Sequence, residues 1–144
     1  MRKRVFGRKL SRERDSRRAL FRALMRSLVE HGKIKTTKAK AKAIQADIDK
    51  IINLAKKGTV VSKRRVFAKL GNDKLTAKKI VEVIAPKFMD RSGGFTKRIS
   101  LPRRKGDYAE IVRLEWVEEI VKPEDKKIKK ENTKSKKKPE TKKK

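Results

Sequence analysis

The sequence predicts an α+β fold: three to four helices packed on one face of a small mixed three-stranded sheet, with a basic N-terminal arm and a disordered lysine-rich C-terminal tail. Three observations carry this. Ala41, Ile44, Ile48, Ile51 and Ala55 follow one another at spacings of 3, 4, 3 and 4, the period of a helix that buries one face. Later in the chain the period changes to two. Phe95, Ile99 and Leu101 alternate with Thr96, Arg98 and Ser100, and Val112, Leu114 and Trp116 alternate with Arg113 and Glu115. Finally, composition breaks at Lys122-Pro123, after which Ile128 is the only large apolar side chain. Such a segment cannot bury enough apolar surface to offset the entropy lost on ordering.

The elements follow in chain order. Residues 1–12 form an arm with six cations, no acid and too few apolar residues to fold alone. A single domain spans 13–121. Its first helix starts near Ser11 or Asp15, runs to His31 and stops at Gly32, which accepts the left-handed conformation that ends helices. Leu20, Leu24 and Leu28, with Phe21 and Met25, make its inward stripe. Ile34 to Thr36 is a short β-prone piece, and Thr36 or Thr37 can cap the long helix over 37–57, which Gly58 ends. A shorter helix covers Val61 to Leu70. Asp73 caps another from Lys74, which carries Leu75, Ile80, Val81 and Ile84 inward until Pro86 ends or kinks it near Ala85. Arg91 to Gly94 is a flexible loop. Two strands follow, joined through Pro102 to Asp107, and pair as an antiparallel hairpin. Residues 122–144 form the tail, with twelve lysines against four acids, a net +8.

Charge sets the function class. The 46 cations face 17 acids, leaving +29 on 144 residues, and self-repulsion on that scale calls for a polyanionic partner. With no cysteine, disulfides and thiolate chemistry are excluded. No stretch approaches the length of a bilayer span or an apolar signal core. Glu13 and Asp15 argue against a mitochondrial leader, which favours the cytoplasm. Catalysis finds little support. The lone His31 sits at a helix end, where a cation suits the dipole. Asp47 and Asp49 point in different directions from one helix and balance neighbouring lysines on a solvated face. No phosphate-cradling glycine loop is present. The expectation is a non-enzyme with no cofactor, metal, membrane or small-molecule substrate.

Nucleic-acid contacts are better supported. Arg14, Arg18, Arg22 and Arg26 recur every fourth residue, so on a helix they form a guanidinium stripe about 120° from the apolar face. The candidate contact residues are Arg2, Lys3, Arg4, Arg8, Lys9 and Arg12 of the arm, the four stripe arginines, Lys35, Lys38 and Lys42, then Arg91, Lys97 and Arg98, and Arg103 and Arg104 at the hairpin tip. Phe21, Phe67, Phe95 and Trp116 fall on core faces, which leaves Phe6 and Tyr108 as base-stacking candidates. Shape and phosphates, rather than sequence, are what this chain is built to recognise. A DNA-compacting architectural protein is the competing reading, and an RNA-modifying enzyme a third.

The order of motifs is specific. Gly7-Arg8-Lys9-Leu10, Ile34-Lys35-Thr36-Thr37 with Ala39-Lys40-Ala41, Arg91-Ser92-Gly93-Gly94-Phe95-Thr96 and Arg104-Lys105-Gly106-Asp107 resemble, in that order, the L-seventeen family of bacterial-type large-subunit ribosomal proteins. The match spans residues 1 to about 120. The resemblance implies a structural constituent of the large (50S) ribosomal subunit, bound to its 23S RNA and to neighbouring ribosomal proteins. It also implies a role in assembly near the peptide exit tunnel. On the same basis the arm threads between RNA segments and the loop from Arg91 to Arg98 adds a contact.

Overall fold

The computed structural model describes residues 7–120. Helix α1 (Arg14–His31) leads into strand β1 (Lys33–Thr37), the long helix α2 (Lys38–Lys56) and helix α3 (Val60–Lys69). Helix α4 (Lys74–Lys79) continues through a π-helical stretch (Ile80–Ile84) into α5 (Ala85–Lys87), so the helical backbone makes four rods. Strands β2 (Thr96–Ser100) and β3 (Ile111–Trp116) close the fold.

Helix boundaries follow local chemistry. Gly32 takes φ 73° and donates its N–H to the Leu28 carbonyl, 2.9 Å away, ending α1. Thr59 and Asp73 accept the Ser62 and Thr76 N–H groups and so cap α3 and α4. Pro86 does not end its helix. The Ala85 N–H reaches back five residues to the Ile80 carbonyl, and this widened turn accommodates the proline ring that a regular α-turn would drive into the Glu82 carbonyl. The helix carries Thr76, Ala77, Ile80 and Ile84 inward, with Val81 half-buried. Leu75, expected inside, is 77% exposed, because it lies off the face that Thr76 and Ile80 define.

The sheet order is β1-β3-β2, and both pairings are antiparallel. The mixed sheet expected from sequence is therefore corrected. Strands β1 and β2 do run the same way, but β3 lies between them and opposes each. Directly opposed residues share a face. Ile34 and Thr36 on β1, Val112, Leu114 and Trp116 on β3, and Thr96, Arg98 and Ser100 on β2 thus face the helices, while Lys33, Lys35, Lys97, Ile99, Arg113 and Glu115 line the outer face. Ile99 lies opposite to expectation. Pairing to β3 sets the parity of an edge strand, and a one-residue offset turns every side chain over.

One core joins the layers. Leu28, Ile44, Ile51, Ile52, Val66, Ile84, Phe88, Phe95 and Leu114 are buried in it, with Phe21 and Phe67 packed at its margin. Phe88 meets Phe95 edge-on at 5.2 Å between ring centroids. The Trp116 indole Nε1–H donates to the Leu28 carbonyl at 3.2 Å, tying β3 to α1. No helix among the described residues is long and apolar enough to cross a membrane.

Candidate nucleic-acid interface

The arginine stripe of α1 divides in two. Arg14 and Arg18 project from the first turns, and Asp15 is their shared acid, at 3.7 and 3.5 Å. Their side chains stay 73% and 59% exposed, so both forks remain available to an anion. The lower half is equally exposed but is engaged by partners far along the chain. Arg22 Nε donates to the Lys69 carbonyl at 3.3 Å, and its guanidinium lies over Gly71, where an added Cβ would come within 3.0 Å of Nη1. Gly71 takes φ 70°, and it is this backbone angle that calls for glycine, since the Arg22 fork could shift by a few tenths of an ångström. Arg26 Nε meets Asp73 Oδ2 at 2.7 Å, and Asp73 caps α4 through Thr76. The Thr76 hydroxyl and N–H, then Arg26, hold the Asp73 carboxyl below its ordinary range. Arg22 and Arg26 thus clamp the junction of α3 and α4 to α1.

The outer sheet face collects residues distant in sequence. Lys33 and Lys35 come from β1, Lys97 from β2, and Arg113 from β3. Glu115 is the acid among them, meeting Lys97 Nζ at 3.3 Å and Arg113 Nε at 2.9 Å. Two of these four cations pair with the one carboxylate, which leaves an unneutralised excess on a face that no helix among the described residues covers. Lys33 is already part of a cation cluster in the sequence, and Arg113 joins the set here. Arg113 escaped notice because alternation marks it only as a solvent-facing strand residue.

A third group surrounds Glu110. Its carboxylate lies 3.0 Å from Lys38 Nζ and 3.8 Å from Arg103 Nη2, and these cations lower its pKa, Lys38 more strongly. Lys42 is exposed one turn along α2 from Lys38. Arg104 turns to Asp107, which it grips through two hydrogen bonds, and Arg103 lies over the Tyr108 ring. Arg98 is exposed at the sheet edge. Arg8, Lys9 and Arg12 are exposed around a turn at Leu10-Ser11, whereas Arg2, Lys3 and Arg4 lie outside the described residues.

The loop before β2 is more firmly held than its glycines suggest. Lys56 Nζ donates to the Arg91 carbonyl, Asn53 Nδ2 to the Ser92 carbonyl at 3.1 Å, and Asp49 Oδ1 accepts the Phe95 N–H at 3.5 Å. Gln45 reaches the Thr96 carbonyl at 3.4 Å. These four come from one side of α2, spaced four, four and three apart. Asp49 is therefore a loop ligand rather than a solvated counter-charge. The sequence offers a signal for the stripe, polar residues at helical spacing beside the isoleucine face, but not its partner.

Comparison with known proteins decides the family. Residues 20–117 match the family model described as ribosomal protein L17. The chain belongs to that family. It is 43% identical over 119 residues to the large ribosomal subunit protein bL17 of Persephonella marina, covering 82% of this chain and 96% of the relative. The protein of the same name from Clostridium acetobutylicum is 42% identical over 110 residues, covering 76% and 96%. That of Dictyoglomus turgidum is 44% identical over 117 residues, covering 81% and 100%. As an L17-family member the chain is a ribosomal protein, a structural component rather than an enzyme. The family match runs from the middle of α1 to just past β3, so it takes in the outer sheet face, the Glu110 group and the loop that α2 holds.

Proposed function

We propose that this ribosomal protein is a structural constituent of the large ribosomal subunit in the cytoplasm. In this reading it clamps segments of the large-subunit 23S RNA by neutralising phosphates and supports subunit assembly near the peptide exit tunnel. The outer sheet face carries the reading: Lys33, Lys35, Lys97 and Arg113 share it with one carboxylate, on a surface left open by the described helices. An arrangement that opposes its own folding is stabilised when a polyanion covers it. Arg14, Arg18, Lys38, Lys42, Arg98 and Arg103 extend the contact around the domain, with Arg8, Lys9 and Arg12 leading into it. Arg22, Arg26 and Arg104 position neighbouring elements while keeping an exposed edge, and Arg91 flanks the held loop. Neighbouring large-subunit proteins are the remaining partners. Residues 13–121 act as the folding unit, and the tail adds diffuse charge.

Sucrose-gradient sedimentation of a lysate containing the tagged protein tests this. Co-migration with 50S subunits through a high-salt wash is the expected result. With about 6–10 phosphate contacts, RNA affinity falls on the order of 10³–10⁵-fold between about 50 and 200 mM salt. Free protein, or protein that follows the nucleoid, overturns the reading in favour of DNA compaction.

A further inference from the structure

Tyr108 stands out at the tip of the β2–β3 hairpin. It is the chain's single tyrosine, and with 72% of its surface exposed it is the one exposed aromatic residue among those described. Its backbone sits at φ 54°, a region that glycine and asparagine enter easily and a bulky ring does not. A ring that adds nothing to the core and strains the chain has no packing reason to be there.

The surrounding loop is built to hold it. Arg104 N–H donates to the Ala109 carbonyl and Tyr108 N–H to the Arg104 carbonyl, both at 3.1 Å. Asp107 grips the Arg104 guanidinium and accepts the Ala109 N–H at 3.2 Å. That pairing keeps the Asp107 carboxyl ionised, with its pKa lowered to about 2 by Arg104 first and the Ala109 N–H second. One arginine is thus spent on loop structure, and it consumes the only acid within the turn. Arg103 keeps only a long, exposed contact with Glu110, at 3.8 Å, and its guanidinium lies 4.7 Å from the centre of the Tyr108 ring. Lys105 is exposed beside it. With Arg103 across one face, the ring's other face is open.

We propose that Tyr108 is a stacking platform for one unpaired RNA nucleotide, its base on the open ring face and its flanking phosphates on Arg103 and Lys105. An aromatic ring next to cations offers both halves of a nucleotide a partner, and stacking suits any base because every base has a flat π-face. A tip ordered before binding loses little conformational entropy on contact. The platform would add a single-stranded contact to an otherwise phosphate- and shape-directed surface. It rests on the ribosomal RNA reading above.

The test measures affinity of the full chain for RNA extracted from large ribosomal subunits, with excess duplex DNA as competitor. Tyr108→Gly removes the ring and suits the backbone angle, so it does not unfold the tip. Loss of one stacked base corresponds to a fall in affinity of about 5- to 150-fold. Tyr108→Phe keeps the π-face and stays within about 2-fold of the parent, while Tyr108→Leu, apolar but not aromatic, falls with the glycine variant. Parent-like binding by Tyr108→Gly overturns the platform and leaves the RNA reading standing. If the unsubstituted chain itself binds ribosomal RNA no better than duplex DNA, both fall.

Discussion

Asp73→Ala is the substitution that most directly tests how α1 is joined to the second half of the helical layer. The carboxylate does three things: it caps α4 through the Thr76 N–H at 3.3 Å, accepts the Thr76 hydroxyl at 2.6 Å, and meets Arg26 Nε at 2.7 Å. Losing an N-cap costs about 0.5–2 kcal/mol. Thr76 is only 2% exposed, so its hydroxyl loses a partner inside the protein, a cost of about 1–3 kcal/mol. The Arg26 side chain is 56% exposed, and solvent screening limits that pair to about 0.2–1 kcal/mol. These overlap rather than add, and about 2–4 kcal/mol is the expected loss. Urea unfolding followed by fluorescence reads it well, because Trp116 is the only tryptophan and is bonded to Leu28 in the core. The midpoint should fall by roughly 1–2.5 M urea. Asp73→Asn keeps an acceptor for Thr76 and loses the charge, so it should fall by about 1 kcal/mol. A change below about 0.5 kcal/mol for Asp73→Ala would refute the clamp.

The other predictions concern charge and the loop. Asp73 titrates below its ordinary 3.8, so its contribution is complete above that value and is lost as pH falls through the lower folded-state value. The parent should therefore lose stability more steeply than Asp73→Asn below about pH 4 in acid titrations of unfolding free energy. Replacing Arg14 and Arg18 by glutamine should lower the slope of log affinity against log salt by about 1.5 and leave the urea midpoint unchanged, whereas Arg22→Gln and Arg26→Gln should move the midpoint first. Asp49→Ala should speed hydrogen exchange at the Phe95 amide by about 5-fold, and an unchanged rate would remove Asp49 as a loop ligand. Deleting Lys122 to Lys144 should lower the salt slope without shifting the unfolding midpoint, and loss of folding would move the domain boundary.

Much of the domain was legible in the chain. The 3-4 spacing from Ala41 to Ala55 reappears as the buried stripe of α2, and the glycine after His31 ends α1 as expected. Local chemistry acts within a turn or two, so caps, stops and periodicity can be read without knowing what lies opposite. The family was legible as well, because several ordered motifs carry more information than any single one. Pro86 shows the boundary of this approach. Its missing N–H is a local fact, but whether the helix stops or widens was decided by the packing of Ile80, Ile84 and Phe88 into the core.

Composition and periodicity by themselves determined that this is a small, strongly cationic α+β protein with no thiol chemistry. Only the tertiary structure decided which cations act together. An arginine every fourth residue looks like one stripe, yet Arg22 and Arg26 meet Lys69 and Asp73, each 47 residues away, while among the described residues Arg14 and Arg18 meet only Asp15. Lys33, Lys35, Lys97 and Arg113 become one surface because β3 is inserted between two strands that run the same way. Helical and strand periods are properties of a segment and can be counted along it. Which side chains share a face depends on the pairing of strands far apart in the chain, and no local pattern encodes that order.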